Sequence, residues 1–282
     1  MEGQVNDDAG TSGRLYLVST PIGNMGDFSF RAVDVLRSVA LVLAEDTRHS
    51  RVLLDKYDLR TPMASYHEHN EAKTTPRLVE RLLAGEDIAL ISDAGTPLLS
   101  DPGQRLVRAA IDAGVQVVPI PGASALLAAL VASGLDVDRF TFMGFLPRKG
   151  KERSVALDEI ASSPHTAVLY EAPSRVADSL RELAERGGDR DAVVARELTK
   201  QFEELRRGTL GSLSAYYTET PPRGEVVILI AGAPHATADE SALQEEARAL
   251  RARGLSVRDV AAELAKRGTS RNLAYRIART VE

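Results

Sequence analysis

From Arg14 to Ala231 short β-branched runs alternate with amphipathic helical stretches, the pattern of an α/β architecture. Arg14–Ser19 (RLYLVS) predicts a first strand, followed by the loop Thr20-Pro21-Ile22-Gly23-Asn24. Ser29 is placed to cap a helix with Ala32, Val33 and Leu36 on one face. Ala40–Ala44 (ALVLA) reads as a buried strand, with Glu45-Asp46-Thr47-Arg48 just beyond its carboxyl end. A short strand near Met63–Tyr66 is followed by Thr75-Pro76, where proline at a first helical position predicts a helix start. Asp87–Ser92 and Val115–Ile120 predict strands flanking a helix over Gln104–Ala113, which Gly114 ends.

A second α/β series follows. Phe140–Gly144, Thr166–Tyr170, Ala192–Ala195 and Glu225–Ala231 read as strands, with helices near Arg153–Ala161, Ser174–Arg186 and Gly211–Tyr217. The pattern divides the chain into a flexible polar tail (1–13), a first α/β domain (14–132), a second (133–232) and a helical domain (240–282). No Pro/Gly/Ser-rich linker marks the join between the α/β domains, which predicts close packing. Ala233–Asp239 reads as a linker. In the last segment Val257, Val260, Ala261 and Leu264 share a helical face, Lys266–Ser270 predicts a turn, and Leu273 and Ile277 lie on the next helix. Two short helices joined through glycine resemble a helix-turn-helix.

Composition adds limits. The chain has 282 residues, 44% of them hydrophobic and 27% charged, enough to build cores of ordinary size without a metal or disulfide. It has no cysteine, which removes thiolate nucleophiles and cysteine zinc sites and fits a reducing compartment. No apolar run approaches the roughly 20 residues of a spanning helix, and the polar start lacks a signal-peptide pattern. These features predict a cytoplasmic protein without a membrane partner. The net charge of −5 hides an asymmetry, because Arg248 to Arg279 carries nine Lys/Arg against two acids. A basic tail on an acidic body suggests that the tail, carrying Arg271 and Arg276, meets a polyanion.

Loops of unusual composition follow the strands. They are Thr20–Asn24, Ser92-Asp93-Ala94-Gly95-Thr96-Pro97, Pro121-Gly122-Ala123-Ser124 and Tyr170-Glu171-Ala172-Pro173-Ser174-Arg175. Glycine lets backbone approach a ligand and proline stiffens the loop that holds it. Any one of these is an ordinary tight turn, but four at strand ends predict a binding cleft. No P-loop, G-x-G-x-x-G or G-x-S-x-G motif is present, which removes the common nucleotidase, dinucleotide-binding and hydrolase readings.

Taken in order, TPIGN, AEDTRHS, SYHEHNE, SDAGTPLLSDPG, PGAS, GFLPRK, YEAPSR and RELTKQFEE resemble the small-subunit (16S) rRNA (cytidine-2′-O)-methyltransferase branch of the tetrapyrrole methylases. The resemblance runs from about Arg14 to Gly232 and is weaker in the helical tail. It implies two α/β domains of the tetrapyrrole-methylase type with S-adenosylmethionine in the cleft between them, and a homodimer acting on small-subunit rRNA. Carried over, the cofactor contacts are Ile22, Asp93, Ala94, Gly95 and Thr96, with Ser124 and Ala125 at the third loop. Tyr170, Glu225 and Val227 complete the set from the second domain.

A ribose hydroxyl is a poor nucleophile until its proton leaves, so a general base or an electrostatic substitute belongs nearby. Lys200, if depressed by burial, or Asp46 is the expected assistant, and Arg48 is expected to orient a phosphate; a structural ion pair or helix cap is the bland reading of Asp46 and Arg48. Asp101 is a further carboxylate close by in sequence. His67 and His69, at alternate positions of an expected strand, fall short of a metal ligand set, so no metal is expected. His67, Arg148 and Lys149 are instead expected to meet RNA, with Tyr66, Phe142, Phe145 and Tyr275 as possible stacking platforms. Two other readings stay open: a small-molecule, tetrapyrrole-type methyltransferase, and a non-catalytic RNA-binding ribosome-assembly factor.

Overall fold

The computed structural model describes residues 12–233, 240–266 and 271–281, with backbone alone for 240, 241, 266, 271 and 272. The polar tail through residue 11, most of the expected linker and most of the expected turn at 266–270 lie outside the described residues.

The first sheet contains β1 (Arg14–Val18), β2 (Leu41–Ala44), β3 (Met63–Ser65), β4 (Ile88–Ile91) and β5 (Gln116–Ile120) in the order β3-β2-β4-β1-β5. All its pairings are parallel. A parallel sheet is covered on both faces, which explains why β2 and β4 are apolar and buried at every position. On one face α1 (Phe30–Ser38) and α2 (Thr47–Lys56) bury Ala32, Leu36, Leu53 and Leu54 against Val42, Ala44 and Ile91. On the other, α3 (Glu71–Leu83) and α4 (Gln104–Asp112) bury Leu78, Leu82 and Leu106 against Leu15, Leu43 and Leu90. The neighbours β1 and β4 therefore send their following helices to opposite faces, and a crevice opens at their carboxyl ends.

The second sheet is mixed, in the order β6-β7-β10-β8-β9. Its strands are β6 (Phe140–Phe145), β7 (Thr166–Glu171), β8 (Asp191–Arg196), β9 (Glu204–Thr209) and β10 (Val226–Ile230). Because β10 runs antiparallel to β7 and β8, its first residues lie beside their last ones: Val226 pairs with Glu171 and with Arg196. That reversal puts Glu225 and Val227 at the same edge as Tyr170. The helices α6 (Gly150–Ser162), α7 (Val176–Gly187) and α8 (Leu210–Glu219) cover one face around Leu157, Leu180 and Leu213. The helix α5 (Ala125–Ser133) covers the other, joining Leu126, Ala129 and Leu130 to Val168, Val193, Leu229 and Ile22 of the first loop.

Several sequence expectations need correction. The helix expected from Thr75-Pro76 begins at Glu71, with Pro76 inside it. Proline there removes one intrahelical bond, and the Thr74 and Thr75 hydroxyls donate to the carbonyls of Asn70 and Glu71 (2.9 and 2.7 Å). His67 and His69 do not lie on a strand, since β3 ends at Ser65. The strand β9 escaped notice because ELRRGT is polar; it is an edge strand with one partner. The helices α2 and α5 were also missed, one hidden in a motif and the other too uniformly apolar to show a helical period.

Residues Gly232–Glu282 with Ser162–Pro164 form a separate compact unit. Its helices α9 (Glu240–Ala252), α10 (Val257–Lys266) and α11 (Arg271–Thr280) enclose a small core that includes Leu243, Ala247, Val260, Leu264 and Ile277.

Candidate active site

The crevice is built by stitching three loops together. Thr20 and Gly95 exchange backbone hydrogen bonds (2.9 and 3.1 Å), and the Ser92 hydroxyl donates to the Gly95 carbonyl at 2.6 Å. The Ser19 hydroxyl bonds that of Thr96 (3.2 Å), which donates in turn to the Ala123 carbonyl (3.3 Å). Gly95 has φ of +87°, and a Cβ at Gly122 would stand 2.9 Å from that of Ser19, so both positions require glycine. Ser124 caps α5 by accepting from the Leu127 amide.

These loops and the edge of the second sheet enclose a cavity of about 400 Å³. All ten expected cofactor contacts line it: Ile22, Asp93, Ala94, Gly95, Thr96, Ser124 and Ala125 from the first side, and Tyr170, Glu225 and Val227 from the second. Tyr170 is fixed by aromatic contacts with Phe142 and Phe145, at centroid distances of 5.0 and 5.4 Å. Behind it, the fully buried Glu171 carboxylate pairs with Arg175 and accepts from the Ser179 hydroxyl at 2.6 Å, anchoring the turn that follows.

Besides Glu171 and Glu225, which are held by Arg175 and Lys200, three carboxylates set the cavity's charge. Glu45, Asp93 and Asp101 all line it. Burial, then the charges of Glu45 and Asp93, push Asp101 from 3.8 up to about 6. Glu45 is raised by burial and by Asp93, with His67 partly offsetting the rise. The loop that carries Asp101 has two non-glycine residues at positive φ, Leu98 (+72°) and Ser100 (+71°), a strain found where a side chain must be aimed. Glu45, Leu99, Ser100 and Phe145 were absent from the expected contacts; the repeated aspartate of SDAGTPLLSDPG was the available signal for Asp101.

The expected proton acceptors fare differently. Lys200 donates to Glu197 (2.9 Å) and Glu225 (3.0 Å). Burial works to lower its pKa, but these two carboxylates outweigh burial and the net shift is upward. Lys200 is therefore a fixed cation, which corrects the expectation of a lysine depressed by burial. Asp46 caps α2, accepting from the Arg48 amide at 2.8 Å and from its guanidinium, and these bonds lower its pKa. It is a weak base and lies outside the cavity lining, while the Arg48 side chain is 91% exposed.

The expected RNA contacts are not gathered in one place. Arg148 and Lys149 are exposed after β6, and Arg148 borders a recess that shares Phe145 and Ala172 with the cavity. His67 is half-buried in its own turn, beside Asn70. Arg276 is exposed on α11, and the Arg271 side chain lies outside the described residues. Among the described residues no group of three or more His, Cys, Asp or Glu side chains could hold a metal ion. No helix among them is long and apolar enough to cross a membrane.

The sequence profile of tetrapyrrole (corrin/porphyrin) methylases matches residues 14–214. The chain belongs to the tetrapyrrole methylase family. It is 48% identical to the Ribosomal RNA small subunit methyltransferase I of Synechocystis sp., over 90% of this chain and 92% of that protein. The like-named proteins of Mesorhizobium japonicum and Pseudomonas aeruginosa are 52% and 49% identical over 81% and 85% of this chain, covering 78% and 86% of their own lengths. The motif resemblance is thus matched by identity along most of the chain. Among solved structures, a Thermus thermophilus uroporphyrin-III C-methyltransferase complexed with S-adenosyl homocysteine superposes with a TM-score of 0.57 at 20% identity, over 78% of this chain and 97% of its own. A diphthine synthase superposes with a TM-score of 0.60 at 16% identity, over 78% and 90%. These two support the α/β tetrapyrrole-methylase fold.

Proposed function

We propose that this chain transfers a methyl group from S-adenosylmethionine to the ribose 2′-hydroxyl of a cytidine in small-subunit rRNA, as a cytoplasmic homodimer. The observation that carries the reading is the charge of the cavity. Glu45, Asp93 and Asp101 share a half-enclosed space, where burial, then the charges of Glu45 and Asp93, push Asp101 up to about 6. A ligand with a sulfonium and an ammonium group relieves that excess, and about 400 Å³ lies within the roughly 300–1,000 Å³ of small-molecule sites. Names of relatives about 50% identical direct the same reading to rRNA.

When bound, the cofactor supplies an activated methyl group, so the chain needs no covalent nucleophile. Its residues then have three tasks. The acidic wall holds the cationic portion, while Ile22, Ala125, Tyr170 and Val227 provide apolar surface and keep water away. Lys200, held between Glu197 and Glu225, places a fixed positive charge beside the cavity, where it stabilises an acceptor oxygen losing its proton. Arg148 and Lys149, exposed after β6, meet phosphates, Arg48 reaches them from its ion pair with Asp46, and the basic helix α11 adds a second polyanion contact.

The homodimer reading rests on α5. Its inner face fills the core, yet Leu127 and Val131 are 52% and 76% exposed, an apolar surface suited to a second copy. The test supplies the protein and labelled S-adenosylmethionine with small ribosomal subunits from a strain lacking the enzyme, with stripped rRNA, and with tetrapyrrole precursors. Label on either RNA substrate is expected; label on the precursors alone would overturn the reading.

A further inference from the structure

A second cavity, of about 250 Å³, is lined by the first loop at Thr20–Gly23 together with residues of α2. Ile22, Asp93, Ala94 and Glu225 line both cavities. Its floor includes Ser50, which is only 2% exposed and whose hydroxyl has no hydrogen-bond partner among the described residues. A buried hydroxyl left unpaired costs about 1–3 kcal/mol, so its persistence beside an open space calls for a ligand group. The polar lining also includes His49, Asp93, Glu225 and the Lys200 ammonium, which spends two of its three donors on Glu197 and Glu225. Met25 and Val52 form an apolar rim, with Val52 60% exposed.

The loop is built to bring Lys200 here. Gly23 has φ of +150°, and a Cβ on it would stand 2.4 Å from the Lys200 side chain, so only glycine lets the lysine stem cross. The Thr199 hydroxyl accepts from the Asn24 amide at 3.1 Å, tying the first loop to the second sheet. Glu197 and Thr199, which flank this crossing, are themselves non-glycine residues at positive φ.

From this geometry we infer that the second cavity is the acceptor pocket, taking a single splayed-out nucleoside whose ribose faces the residues that line both cavities. The inference rests on the proposed methyl transfer and deepens it. The space lies below the roughly 300–1,000 Å³ of drug-sized sites, the scale of one nucleoside and not of a four-ring macrocycle. Enzymes that act on one nucleotide enclose it between apolar side chains and read its edge by hydrogen bonds; Met25 and Val52 provide the first and Ser50 the second. Lys200 reaches the same pocket, so its charge falls on the acceptor.

The test uses full-length protein and small subunits from a strain lacking the enzyme. Val52→Trp closes the mouth from an exposed position, and Ser50→Ala removes the buried hydroxyl alone. Both are expected to bind S-adenosylmethionine within about twofold of wild type by calorimetry. Val52→Trp is expected to lose about 100-fold in single-turnover methyl transfer, since displacing the acceptor by about 1 Å already costs that much. Ser50→Ala is expected to lose about tenfold, mainly through KM for the subunit. If wild type modifies the subunit and Val52→Trp keeps its rate, the pocket assignment is wrong while the methyl-transfer reading stands. If wild type modifies no RNA substrate, the methyl-transfer reading fails first.

Discussion

Replacing Asp101 by asparagine has two opposite consequences if the acidic wall exists to hold a cation. The carboxylate is held from 3.8 up to about 6, which corresponds to about 3 kcal/mol between its protonation states. Solvent in the open cleft reduces the usable part to about 1–2 kcal/mol. Because the folded pKa is raised, the ionised group opposes folding above pH 3.8, and the full cost is present above about pH 6. Asp101→Asn is therefore expected to raise the Tm of the cofactor-free protein by a few degrees at neutral pH. The same substitution removes a charge-assisted contact of about 1.5–3 kcal/mol from the ligand, weakening S-adenosylmethionine about 10–100-fold. In wild type, affinity is expected to be flat above about pH 6 and to fall up to tenfold per pH unit below it, because the proton on Asp101 must leave before the cation binds. Differential scanning and titration calorimetry of both proteins between about pH 5 and 8 read all three effects. A variant that is less stable than wild type, or that binds the cofactor within twofold of it, would refute the argument.

Other substitutions separate the remaining roles. Lys200→Ala is expected to lose about 100-fold or more in single-turnover rate, as for removal of one oxyanion donor, and Asp46→Ala less than tenfold; equal losses would contradict the fixed-cation role. Glu171→Ala leaves Arg175 and Arg153 without their fully buried carboxylate, so urea unfolding should show a loss of about 3–5 kcal/mol. Val131→Glu on the exposed face of α5 is expected to yield monomers in sedimentation velocity, and an unchanged mass would remove the interface from α5.

Much of this was readable from the chain because parallel strands leave a strong mark. Runs such as ALVLA and DIALIS are apolar at successive positions since both sheet faces are covered, and the loops after them carry the glycines that close approach demands. Glu225 and Val227 were placed only through the family resemblance. Their position depends on β10 running antiparallel beside β7, and no local pattern encodes the direction of a strand. The charge state of Lys200 is hidden from the sequence for a related reason. A lysine in a semi-buried loop suggests a lowered pKa, but Glu197 and Glu225 reach it through a turn and a distant strand. The polar edge strand β9 and the uniformly apolar α5 lack the periodicities on which element assignment depends. Asp101 stood out by position, whereas its raised pKa arises from burial in the folded cleft and then from Glu45 and Asp93, which line the same cavity.

On this reading the acceptor is one ribose hydroxyl of small-subunit rRNA. The most direct test is nucleotide-resolution mapping of subunits modified in vitro, by mass spectrometry of nuclease fragments and by alkaline hydrolysis. One added methyl group on a single cytidine is expected, with resistance to alkaline cleavage at that position because the 2′-oxygen is blocked. A methyl group on a base, with alkaline cleavage intact, would contradict the reading.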